Sequence, residues 1–196
     1  MAAVARDAIL DAMGKLRIAV IAAFVISAVA LADARQTRET PQLPTSWDWL
    51  AGTFWYVGEK DLPSYLYDTR LQSGAMVPDQ TVFQITESKN GYFRGSAVVE
   101  IAMSRSSFTI LGVVTPDGSV LLTFLPSDPT GAVTTGTGRF TYAGRDLTML
   151  NQMSSSPSDR VKVLHWAYMR LTKPGDASWD RLPAANVSVP EFLRGR

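Results

Sequence analysis

Side chains able to do chemistry are scarce in this chain, and one of them stands alone. His165, in the stretch "HWAYM", is the single histidine, and there is no cysteine. An imidazole among apolar neighbours can ligate a haem iron or act as a lone acid/base group. It can equally be a core histidine satisfied by a neighbouring side chain, for which Asn151 is the candidate. With one histidine and no thiol, zinc sites and nucleophilic triads have almost no parts to be built from. Most carboxylates beyond residue 34 fall in turns or at segment ends: Asp61, Asp68, Asp79, Asp117, Asp128, Asp146 and Asp159. Glu100 is mid-strand on a polar face, so no pair is placed for general acid/base work or for a hard-metal cage. The serines of "MSSSPSD" read as a loop, and "TTGTGRF" is no phosphate loop, because neither Lys-Ser/Thr nor a helix follows it. The expectation is a protein without catalytic machinery.

The elements that must position these residues are strands. From Thr53 to Thr172 apolar residues recur at period two, with turn signals about every ten residues, the mark of an all-β sandwich or barrel. Eight strands are predicted near 53–58, 81–87, 92–102, 107–115, 119–125, 132–142, 146–153 and 160–171, with a short helix over "LPSYLYD", 62–68, begun by Pro63. Asn90-Gly91, Pro116-Asp117-Gly118 and Gly144 supply hairpin turns, so neighbouring strands are antiparallel. A meander of eight strands removes its exposed edges most simply by closing into an up-and-down barrel.

Alternation assigns the faces. Phe93, Gly95, Ala97, Val99 and Ile101 share one side; on the last strand Val161, Val163, His165, Ala167, Met169 and Leu171 share another, with Trp166, Tyr168 and Arg170 opposite. The glycines and alanines on these faces either leave room for a small ligand or mark sharp bends. An outer-membrane barrel would need the reverse, a polar lumen and an apolar exterior. Strands 107–115 and 119–125 are apolar on both faces and require a cover: the segment 61–76, the tail 174–193, or another subunit in a homodimer.

Ahead of the strands, Lys15 and Arg17 precede the apolar run Ile18 to Ala32, and small residues follow at Ala30-Leu31-Ala32 and Ala32-Asp33-Ala34. This describes a cleaved secretory signal peptide over 1–34, with a periplasmic or secreted product. The run falls short of the about 20 apolar residues that span a bilayer, so no membrane span is expected after cleavage. Asp7 and Asp11 are foreign to such a leader, and Met13 is the better start. Residues 35–46 read as an N-terminal arm, 47–173 as the β-barrel domain and 174–196 as an irregular tail. A net charge of +1 shows no basic stripe and excludes a typical nucleic-acid binder.

The stretch "LAGTFWYV", Leu50 to Val57, resembles the glycine-x-tryptophan opening of calycin barrels, the lipocalin, avidin and fatty-acid-binding group, although two residues separate Gly52 from Trp55 here. The resemblance implies that Trp55 plugs one end of the barrel and that Arg170, by position, stacks over it. It extends to the nitrobindin-like haem barrels, which implies haem with His165 as axial ligand. "HWAYM" and "VTPDGS" are also similar to segments of exported bacterial proteins. The expectation is an exported, non-catalytic barrel binding a small apolar ligand, with Trp55, Met149 and His165 lining the interior. The alternative is an extracytoplasmic interaction module, such as a protease inhibitor acting through the arm or a cell-envelope partner.

Overall fold

The computed structural model describes residues 41–58, 63–128 and 130–194. Among them run nine antiparallel strands: β1 (Phe54–Val57), β2 (Pro63–Asp68), β3 (Ser73–Lys89), β4 (Tyr92–Ile101), β5 (Ser104–Val114), β6 (Ser119–Pro126), β7 (Thr134–Ala143), β8 (Asp146–Ser155) and β9 (Val161–Thr172). From β3 to β9 each strand pairs with the next, and the sheet closes because β1 and β2 both lie between β3 and β9. At one end of that slot Trp55 faces Phe83 and Leu171. At the other, Leu66 faces Ala75 and Val163. Nine strands therefore fill the eight positions of a closed antiparallel barrel. The segment 1–34, expected from sequence to be a signal peptide, lies outside the described residues.

The split in the wall has a chemical cause. From Tyr56 to Pro63 the chain advances seven residues while β3 advances only four, from Val82 to Pro78. Pro63 and Pro78 face each other at the break, and neither has an N–H to give to a ladder. Gln80 takes over part of that role. Its Nε2 donates to the Val57 carbonyl at 3.1 Å, and its Oε1 accepts from the Ala184 N–H at 3.0 Å.

The helix expected over 62–68 is instead strand β2. Ser64 is buried between exposed Pro63 and Tyr65, and this two-residue period with a Tyr-Leu-Tyr run outweighs the helix start that Pro63 suggested. Strand β3 begins at Ser73 rather than near 81, because β2 supplies a partner for its first half. The expected turns are present: Asn90 and Gly91 have φ of 53° and 81°, and Gly118 and Gly144 are also left-handed. Gly95 marks a bend, since a Cβ there would collide with the Gln84 carbonyl beside the register shift between Ile85 and Glu87.

The tail covers a different part of the wall than expected. It carries two short helices, α1 (Ala177–Asp180) and α2 (Val189–Leu193). Leu182, Val189 and Phe192 pack on Val82 and Val98 of β3 and β4, and Trp179 meets Phe54 edge-on at 4.9 Å. Arg105, paired with Glu100 at 2.5 Å, lies over the Phe192 ring at 4.4 Å. Leu111 of β5 and Leu121 of β6 stay exposed, so the tail is not the cover those two strands required.

The β4–β5 hairpin turns on Ala102 and Met103, with φ of 49° and 67°. Two-residue turns of this kind favour Asn-Gly, because a Cβ in the left-handed region costs about 1 kcal/mol per residue. Replacing Ala102-Met103 by Asn-Gly should raise the free energy of unfolding by about 1 kcal/mol, read as a higher urea midpoint at unchanged slope.

Candidate functional site

The two ends of the barrel differ. At the end reached by the β3–β4, β5–β6 and β7–β8 hairpins, aromatic side chains fill the interior. Trp55 is fully buried, and its Nε1 donates to Thr53 Oγ1 at 2.9 Å. Trp47 stacks on Phe140 at 4.5 Å and donates to the Thr115 carbonyl, while Phe140 meets Trp55 edge-on at 5.4 Å. Aromatic pairs at these separations add roughly 0.5–1.5 kcal/mol each beyond their burial. Trp47, which precedes β1, is thus part of the end cap itself.

The opposite end is hollow. A cavity of about 320 Å³ opens beside the β4–β5 and β8–β9 hairpins. Leu66, Val99, Ile101, Phe108, Met153 and Val163 form an apolar wall, and hydroxyls of Ser104, Ser106, Thr134 and Ser155 punctuate it. Phe124 joins this wall to the core, with its ring 5.6 Å from Phe83. The cavity exists because the rim positions carry serines, a threonine and an alanine where the capped end carries tryptophans.

A buried polar cluster lies at the break between β1 and β2, and the cross-strand partners of its Asp79, Thr81 and His165 are Ile101, Val99 and Met153 of the cavity wall. Asp79 Oδ2 accepts from Ser64 Oγ at 2.6 Å, and its Oδ1 accepts from Thr81 Oγ1 at 2.8 Å. His165 Nδ1 lies 3.3 Å from Asp79 Oδ2, with both side chains almost wholly buried. Burial pushes the Asp79 carboxyl above its ordinary range, and the His165 charge and the two hydroxyl bonds pull it partly back. Ser64 gives its proton to the carboxylate and not to the imidazole, which is the reverse of nucleophile activation. The cluster ties β2, β3 and β9 together where the ladder is interrupted.

This corrects two expectations. His165 is paired with Asp79 and not with Asn151, whose Oδ1 is buried without a hydrogen-bond partner. Asp79 is not a turn residue; it points inward from a strand. "VPDQT" resembles a turn, and only the inward series Asp79, Thr81, Phe83 and Ile85 in one extended strand could have revealed it. Ser64 was hidden in the segment read as helical.

Of the residues expected to line a ligand site, Trp55 and Met149 are fully buried in the core, and the cavity wall includes neither of them nor His165. Arg170 does not stack over Trp55. It projects from the outer face opposite Tyr56, whereas Trp55 points inward opposite Leu171. Haem does not fit these residues, because the His165 side chain is only 3% exposed, is engaged with Asp79 and is not among the residues that line the cavity. Among the described residues no group of three or more His, Cys, Asp or Glu is arranged to hold a metal ion, and no helix is long and apolar enough to cross a membrane.

Comparison with protein-family models, with curated proteins and with solved structures found no match. The closed eight-position antiparallel barrel is compatible with a calycin-like fold.

The Asp79 carboxyl sets a pH dependence. A folded-state value raised above the ordinary 3.8 means the folded state holds its proton more tightly, so this group's contribution is complete below that value and is lost as pH rises through the raised one. The stability of Asp79→Asn relative to the wild type should therefore shift in the variant's favour between pH 4 and pH 8, measured by urea denaturation at each pH.

Proposed function

We propose that this chain is an exported binding protein that holds a small, mostly apolar molecule in the open end of its barrel. The observation that carries this reading is the cavity of about 320 Å³ with its apolar wall and hydroxyl rim. Apolar walls with a few placed polar groups are what small-molecule sites are made of. A void of about 150 Å³ holds one benzene ring, so this one suits a two-ring molecule or a medium-length chain. Export rests on the basic start, apolar run and Ala-x-Ala sites of residues 1–34. Kinship with the calycin barrels rests on "LAGTFWYV" and on the closed eight-position barrel. A binding role without catalysis is favoured because Asp79 and His165, the buried acid and base among the described residues, are engaged with each other at the break in the wall.

Filling the cavity from its wall tests the reading. Val99→Phe should weaken binding of 1-octanol at least tenfold by calorimetry, while the melting temperature changes by only a few degrees.

A second reading, docking of another copy of this chain, is favoured by the outer face of β2, β6 and β9. Tyr65, Leu121, Leu164, Trp166 and Tyr168 stay exposed there, Trp166 at 58%, and monomeric proteins rarely leave large contiguous apolar patches open. On this reading the sedimentation coefficient rises with protein concentration, and Trp166→Ser removes the rise.

A further inference from the structure

Asn151 occupies an inward position on β8 between Met149 and Met153, is only 4% exposed, and has an Oδ1 with no hydrogen-bond partner among the described residues. Its direct cross-strand neighbours are Gly138 on β7 and Ala167 on β9, which bring no polar side chain to it. Gly136 adds space, since a Cβ there would come within 3.2 Å of Asn151 Oδ1. A buried acceptor left without a donor is costly, and native interiors hold few of them.

The cavity lies next to this acceptor. Met153 is the next inward residue of β8 and lines the cavity wall, which places Asn151 about 7 Å further along the same strand face. Methionine is unbranched and adaptable, so a change of its rotamer joins the cavity to the acceptor. We infer that the ligand of this cavity carries a neutral hydroxyl that enters first and donates to Asn151 Oδ1, with its apolar body against Val99, Ile101 and Phe108. The inference rests on the reading of the cavity as a binding site and names the class of molecule it takes. A charged head group is excluded by the cost of burying an ion beside methionines and glycines.

Calorimetric titration with two probes of equal size tests it: 1-octanol, which donates, and 1-methoxyheptane, which only accepts. The wild-type protein should bind the alcohol roughly tenfold more tightly than the ether. Asn151→Leu should bind both probes alike and melt no lower than the wild type, because an orphaned polar group is replaced by an apolar one of similar volume. Equal binding of the two probes by the wild type overturns the hydroxyl inference and leaves the cavity reading standing. A preference that survives in Asn151→Leu overturns it as well. Binding of neither probe removes the cavity reading and this inference together. The wild-type comparison decides the matter even where the variant does not fold.

Discussion

Everything in this barrel depends on how β3 and β9 are bridged. They are held apart by one strand position, and that position is filled by two short strands with Pro63 and Pro78 facing each other at the junction. Where backbone groups cannot complete the ladder, side chains do. Gln80 takes the Val57 carbonyl and the Ala184 N–H, while Asp79 gathers Ser64, Thr81 and His165 from three strands. A buried carboxylate is tolerated only when its oxygens are satisfied, and here hydroxyls from two strands satisfy them. The polar cluster is therefore the seam of the barrel.

That seam divides the interior into two regimes. Toward the β1 side, Trp47, Trp55 and Phe140 interlock and leave no room. Toward the β2 side the inward residues shrink to Leu66, Ser104, Ser106 and Ser155, and the space they do not fill is the cavity. The tail contributes from outside, since Leu182, Val189 and Phe192 cover Val82 and Val98 and keep that stretch of wall from facing water.

Local features of this fold were legible in the sequence, and non-local ones were not. Asn90-Gly91 and Gly144 announced their turns, and the alternation along 92–102 and 160–170 announced the inner face, because both signals sit within a few neighbouring residues. Leu171, expected inside, is exposed, and Thr172 is buried in its stead. The inward, end-closing position of Trp55 could also be read. Strand β2 could not: six residues led by a proline form a strand only because β3 and β9 wait on both sides. His165 was correctly placed on the inner face but assigned the wrong partner. Asn151 lies on β8, the adjacent strand in sequence and in the sheet, whereas Asp79 reaches His165 from β3, across the slot that β1 and β2 fill, which no local pattern announces. Trp55 and Met149 belong to the solid half, and the cavity lies where the inward residues shrink to serines, a difference in side-chain volume between the two ends that strand alternation does not report.

The pairing of the first strand with the last carries a consequence for how the molecule comes into being. Phe54 faces Thr172 and Val57 faces Met169, so the earliest strand of the domain has no permanent neighbour on one side until nearly the whole chain has been delivered. Contacts of such large sequence separation are slow to form. Until they do, β3 and the strands after it are an open sheet with unpaired edges, the form most exposed to mispairing with other chains. The wall is whole only once β9 has arrived, so the interval before that arrival is the one in which this chain is most open to pairing with its own copies.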